Sequence, residues 1–269
     1  MLRAASADRD LVEYYRAGWR SWQPGGKTAL SGTGEFFSSD GPVTLVTPSG
    51  QVSYRGALRS AAPSSSTSRR DTVNVVLLDD YVKGVIPAEM PALWHKYAVR
   101  AQAVAARTYA VYDRDAHFDR YYQICDTTSC QVYRGTTAEH PASSDAAEFT
   151  AGQIRTYRGE PAFTQFSASS GGWTSSGSAP YLVSKQDPYD DWSGNSNHDW
   201  SVQLSARRIR DAYPAIGRLL RVRVTKREGG GEWHGRVETL VLEGTNGKRV
   251  LSGDDFRYRF GLKSTWFRL

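Results

Sequence analysis

A chain of 269 residues with a net charge of +6 is long enough to bury a core as one large domain or two small ones. The basic balance favours an anionic surrounding, such as a cell wall, a membrane surface or nucleic acid. Its lysines and arginines are scattered, however, with only short clusters such as Arg69-Arg70 and Arg207-Arg208-Ile209-Arg210. No helix-turn-helix, RNP or zinc-finger pattern accompanies them, which argues against nucleic acid.

No apolar run reaches the length of a membrane span, and the N-terminus lacks the apolar core of a signal peptide. The 8 Trp and 15 Tyr stand in a polar background that suits carbohydrate binding, where flat rings stack on sugar faces.

In chain order, Asp10 to Trp19 places Leu11, Tyr14, Tyr15 and Trp19 at helical spacing and predicts a short helix, stopped at Pro24-Gly25-Gly26. GEFF, VTLVT and QVSYRG, between Gly34 and Leu58, read as strands of a small hairpin region around Pro48-Ser49-Gly50. The low-complexity stretch AAPSSSTSRR, ending at Arg70, reads as a mobile loop or linker, so a boundary is expected near residue 70. Residues 1–70 then form an accessory helix and hairpin region, and residues 71–269 form the main domain.

The continuous apolar run VNVVLL predicts a strand buried on both faces. It leads to Gly84–Tyr112, where a proline-bracketed acidic turn feeds an alanine-rich helix starting at Pro91. Ala98, Gln102, Ala105 and Tyr109 share one stripe of that helix. Glu89, between Pro87 and Met90-Pro91, is expected just outside its N-terminus, with its carboxylate direction fixed by two restricted backbones. An acidic residue in such a place also fits simple dipole capping.

Ala142 to Gly152 predicts a second helix with Ser143 or Ser144 as N-cap. PAFTQFSA reads as a strand. The following SSGGWT forms a tight loop in which Gly171 and Gly172 permit positive φ and close approach to a ligand. From Tyr181 to Trp200 the chain is irregular and rich in Asp, Asn and aromatics, which marks a substrate-facing loop with Tyr181 and Trp192 as stacking candidates. Asp187, Asp190 and Asp191 invite a calcium site, but the EF-hand spacing is absent. Residues 204–269 read as structural: a helix near Ala206 to Tyr213, strands LRVRVTKR and RVETLVLEG, an Asn246-Gly247 turn, and a helix capped by Ser252 and stopped by Gly261. The fold class is α+β, with mixed strands packed on one long Ala-rich helix.

YVKGVIPAEMP and WHKYAVRAQAVAARTYAVY, then CDTTSCQVYRG from Cys125, FSASSGGWT from Phe166 and FGLKSTWFRL at the C-terminus, resemble in that order the SpoIID/LytB family of sporulation and cell-wall proteins. The resemblance covers residues 71–269. It implies a peptidoglycan-acting protein: a lytic transglycosylase whose essential glutamate is Glu89, or an enhancer of a cell-wall amidase.

By the same resemblance a glycan groove lies at the helix N-terminus. Gln102, Arg107, Ser167, Ser169, Ser170, Gly171, Gly172, Trp173 and Tyr181 are expected to bind substrate there. Gln102 and Arg107 are five residues apart, so one of them is expected to brace the Glu89 turn instead. The family acts outside the membrane, so an extracytoplasmic location and an upstream leader or anchor are expected. In an exported protein Cys125 and Cys130 most simply form a disulfide. Zinc held by the two cysteines and His117 is the alternative, although structural zinc normally takes four ligands. No cofactor is expected.

The chemistry follows the carboxylate count. Hydrolytic glycosidases usually need two, whereas a transglycosylase can use one, and Asp79 and Asp80 lie back along the chain from Glu89. The serine loop lacks the GxSxG elbow and an evident histidine partner. Acting as an acid requires Glu89 to be desolvated enough to outweigh a helix N-terminus. The competing reading is a non-catalytic module that binds glycan and recruits an amidase.

Overall fold

The computed structural model describes residues 2–5, 11–15, 19–22, 34–38, 40–47, 50–61, 63–64 and 71–269, and two units, Met1–Phe166 and Ser167–Leu269, account for it. The first unit opens with β1 (Leu2–Ala5), β2 (Leu11–Tyr15) and β3 (Trp19–Trp22), an antiparallel sheet in the order β1-β2-β3. The helix expected over 10–19 is therefore replaced by two strands. Val12, Tyr14, Tyr15 and Trp19 are β-branched or aromatic types that favour strands, and they meet the helical spacing only by coincidence.

Next come β4 (Gly34–Phe37), β5 (Val43–Thr47), β6 (Gly50–Tyr54), β7 (Ala57–Ala61) and β8 (Asp71–Val75). β5 and β6 form a hairpin, while β4, β7 and β8 form a separate sheet in that order. Among the described residues β8 pairs with β7 alone, at the edge of its sheet, and it is largely half-buried, not buried on both faces as its apolar run predicts. The register runs from Ala57↔Val75 to Ala61↔Asp71. The expected boundary near residue 70 thus falls between two paired strands of one unit, and the division comes after Phe166.

Helices α1 (Leu78–Glu89), α2 (Lys96–Ala116) and α3 (Pro141–Phe149) and the two-residue strands β9 (Thr156–Tyr157) and β10 (Glu160–Pro161) complete the unit. Asp79 and Asp80 in the first turn of α1 suit its positive end. Tyr81, Val82, Val85 and Ile86 form its buried face. On α2 the buried positions are Val99, Ala103, Ala106, Ala110 and their neighbours, one step round from the predicted stripe. Ala146 and Ala147 of α3 and the ring of Tyr133 close this core. The alanines matter because small side chains let three helices approach closely, at the cost of less apolar area per residue. Pro141 starts α3, whose cap is the His140 ring and not a serine: Nδ1 accepts from the Ala142 N–H at 3.1 Å.

In the second unit, residues 167–205 contain neither helix nor regular strand. α4 (Ala206–Ala212), β11 (Leu219–Arg227), β12 (Val237–Gly244), β13 (Gly247–Ser252) and α5 (Gly253–Phe260) follow. The three strands form an antiparallel meander with β12 central, on which Leu240 and Leu242 are fully buried. Phe256 and Phe260, one turn apart on α5, join Phe267 and Ile209 in the same core. Ser252 caps α5 and Gly261 ends it in the left-handed conformation. No helix among the described residues is long and apolar enough to cross a membrane.

Candidate functional site

The structure moves Glu89 relative to its nearest helix. It is the last residue of α1, while α2 begins only at Lys96. Pro87 lies inside the last turn of α1, where its missing N–H forfeits a bond to the preceding turn. Met90 then turns extended at φ −148°, ψ 154°, the conformation a residue before proline prefers. The N-terminal dipole argument drawn from sequence does not apply to this glutamate.

What fixes the carboxylate is the backbone of another segment. The Val132 N–H donates to Glu89 Oε1 at 2.6 Å. The residues on either side of Val132 are anchored. Gln131, fully buried, donates through Nε2 to the Ala106 carbonyl at 3.3 Å and accepts from the Tyr81 hydroxyl. Tyr133, also buried, donates its hydroxyl to Asn74 Oδ1 at 2.8 Å, and its N–H donates to the Asp126 carbonyl at 3.3 Å. Burial raises the Tyr81 and Tyr133 hydroxyls well above the ordinary tyrosine range, so both stay neutral donors.

A hydrogen bond of this kind typically contributes about 0.5–1.5 kcal/mol. Glu89 itself is half-buried, and its Oε2 has no hydrogen-bond partner among the described residues. Cys125 and Cys130 are joined by a disulfide two residues before Val132, and among the described residues no His/Cys/Asp/Glu group is arranged to hold a metal.

Gln102 and Arg107 do not share a role. Arg107 is 0% exposed and cannot reach a ligand. Its Nε donates to Asp79 Oδ1 at 2.7 Å, Nη2 to the Ala147 carbonyl at 2.9 Å, and Nη1 to the Thr150 hydroxyl and the Gln153 carbonyl at 3.3 Å. It ties the start of α1 to α3 and is a structural brace, correcting its assignment to substrate. Gln102 is half-buried, and its Nε2 is shielded from solvent with no hydrogen-bond partner among the described residues, so it is not placed to reach a ligand either.

The other expected site residues belong to the second unit and are organised around Asp190, which is 9% exposed. Its carboxylate accepts from the Ser169 hydroxyl at 2.8 Å, the Ser170 N–H at 2.8 Å and His198 Nδ1 at 2.7 Å. Burial pushes the Asp190 carboxyl up, but the hydrogen bonds from His198, Ser169 and Ser170 outweigh it and leave it lowered. The bond to Asp190 raises His198 against the opposing effect of burial.

Ser169 Oγ also accepts from the Gly171 N–H and from Asn195 Nδ2, both at 3.2 Å. Ser170 donates to Asp187 at 2.9 Å and accepts from the Gly172 N–H. Both hydroxyls are therefore consumed inside the loop, and neither donates to a histidine, which excludes a serine-nucleophile arrangement. Gly171 and Gly172 do have positive φ, 68° and 92°. Arg236 Nη2 bolts the loop from behind through the carbonyls of Ser170 and Trp173.

Trp173 Nε1 donates to Ser184, Ser167 is exposed, and Tyr181 is half-buried. Sequence reasoning missed Val132, which acts through its backbone and carries no side-chain signal. It named Asp190 only as a calcium candidate and missed its pairing with His198, eight residues on in a loop without periodicity.

An α+β protein with one amide-held glutamate at a helix end and a polar loop built on an Asp–His pair is the class these features define. Residues 66–157 match the SpoIID family, described as Stage II sporulation protein. Over that stretch the match agrees with the motifs read in the sequence, and the similarity to the relatives below extends it. It is 37% identical over 134 residues to the amidase enhancer of Bacillus subtilis, covering 48% of this chain and 17% of that protein. It is 29% identical over 234 residues to the Stage II sporulation protein D of Bacillus subtilis, covering 76% of this chain and 63% of that protein. The Stage II sporulation protein D of Bacillus amyloliquefaciens is 30% identical over 230 residues, covering 77% and 64%. The chain thus spans less than two thirds of the length of each of these relatives.

Proposed function

We propose that this chain acts outside the cytoplasm on peptidoglycan glycan strands, cleaving the MurNAc–GlcNAc bond as a lytic transglycosylase with Glu89 as its single acid and base. The observation that carries the reading is the Glu89 carboxylate, held at Oε1 by the Val132 amide while Oε2 has no partner among the described residues. Paired-carboxylate hydrolases set their two groups about 5–9.5 Å apart. Asp79 and Asp80 sit nine or ten residues back on the same helix, roughly 14 Å along its axis.

In this reaction Glu89 protonates the glycosidic oxygen. It then takes the proton from the 6-hydroxyl of the same muramic acid unit as that oxygen attacks C1, leaving a 1,6-anhydro ring. No water is consumed.

The similarity to an amidase enhancer supports a second reading, in which the same surface binds glycan without cutting it and recruits a cell-wall amidase. Glu89→Gln separates the two, because the amide oxygen still accepts from Val132 while the acid is lost. Intact and peptide-free glycan strands incubated with each protein and analysed by mass spectrometry should yield anhydro-muramic ends with the parent only. Reducing ends would mean a hydrolase with another carboxylate. Binding without cleavage by either protein would favour the recruiting module.

A further inference from the structure

The loop closed by Cys125 and Cys130 is built into the support of Glu89. Within it the Cys125 N–H points at Cys130 Sγ at 3.2 Å, and the Asp126 carbonyl accepts the Tyr133 N–H at 3.3 Å. The loop therefore grips the chain on both sides of Val132: covalently through Cys130, two residues before it, and by hydrogen bond at Tyr133, one residue after it. Gln131 is held independently from α2, and the Tyr133 ring packs at 4.8 Å from Tyr81 of α1. With its neighbours fixed, the Val132 N–H has one orientation, and that orientation meets Glu89 Oε1.

We infer that the Cys125–Cys130 disulfide is a redox latch that positions the Glu89 carboxylate through the Val132 amide. A dithiol reductant supplies two electrons and two protons, becomes a disulfide itself and leaves two thiols on the protein. The five-residue tether is then lost, and the Asp126 carbonyl no longer has a fixed place from which to hold Tyr133. The carboxylate keeps its chemistry and loses its aim. Val132 and the two cysteines are positioning residues. They act through Glu89, so the catalytic consequence rests on the function proposed above.

The oxidised protein, the same protein reduced with dithiothreitol, and the Cys125→Ser/Cys130→Ser variant are compared by amide hydrogen exchange at residue resolution and by turnover of peptide-free glycan strands. Exchange at Val132 is expected to rise about tenfold on reduction and in the variant, the scale of losing one hydrogen bond. Amides of α2 should keep their protection. In the turnover assay kcat should fall with KM unchanged, and reoxidation of the reduced protein should restore it.

Unchanged exchange at Val132 would overturn the latch. So would loss of protection throughout α1 and α2, which would make the disulfide a general staple of the fold. Absence of turnover in every sample would defeat the catalytic reading, while exchange at Val132 would still decide whether the disulfide sets the Glu89 support.

Discussion

His198 Nδ1 stands 2.7 Å from Asp190 Oδ2, and this contact pins two points of an otherwise irregular segment together. Its contribution depends on pH in a defined sense. The Asp190 carboxyl is lowered in the fold, so its stabilisation is present above its unfolded value and lost as pH falls through the folded one. The His198 imidazole is raised, so its stabilisation is full below its unfolded value and lost as pH rises through the folded one. Unfolded values of roughly 3.9 and 6.5 place the maximum between about pH 4 and 6.5. Melting curves of the parent should show this maximum, and His198→Gln should flatten its alkaline side. An unaltered profile in the variant would rule the pair out as its source.

Arg107→Ala should destabilise the first unit by about 3–5 kcal/mol, because the carbonyls of Ala147 and Gln153 lose a buried donor and a cavity replaces the side chain. Arg107→Lys should recover only part of that, since an ammonium lacks the planar fork that reaches α1 and α3 together. Urea unfolding measures both. A loss below about 1 kcal/mol for the alanine variant would contradict the brace.

A methyl group at Gly84 has nowhere to go. Its Cβ would lie 2.6 Å from Tyr133 Cε2 and 3.0 Å from the Gly135 carbonyl. The Tyr133 ring cannot retreat, since its hydroxyl is bonded to Asn74 and its face meets Tyr81. Gly84→Ala should therefore cost about 1–3 kcal/mol despite a helix-propensity gain of nearly 1 kcal/mol. Because Tyr133 follows Val132, the function proposed above predicts that glycan turnover falls as well. Parental stability in the variant would show that the ring yields.

Ser252→Ala removes the oxygen that accepts the Asp255 N–H at 2.9 Å. The expected cost is about 1 kcal/mol, confined to the second unit and read from its thermal unfolding. Ser252→Asp should retain the cap.

The sequence was legible where local rules decide. The cap and stop of α5, the strands of the meander and the alanine-rich α2 follow from residue types and period. It misled where two patterns overlap. Leu11, Tyr14, Tyr15 and Trp19 satisfy a helix period by spacing and a strand by composition, and pairing between strands decides. The prolines around Glu89 suggested a turn before one helix. Instead a helix ends there, with Pro87 in its last turn and the residue before Pro91 turned extended. Arg107 looked like a ligand group by resemblance, yet burial turned its five donors inward. Backbone donors such as Val132 leave no mark in a sequence.

The pairing of β7 with β8 bears on how a working fragment can be cut from this chain. The family match begins at residue 66, after β7. Asn74 of β8 donates to the carbonyls of Arg55 and Ala57, Thr136 donates to the Ser53 carbonyl, and Glu139 holds Arg55 by two bonds of 2.7 Å. Expressed alone, residues 66–157 would present β8 as an open edge, ready to recruit a strand from another copy. A piece that keeps these contacts has to reach back at least to β6, so the unit of folding is larger than the unit of family resemblance.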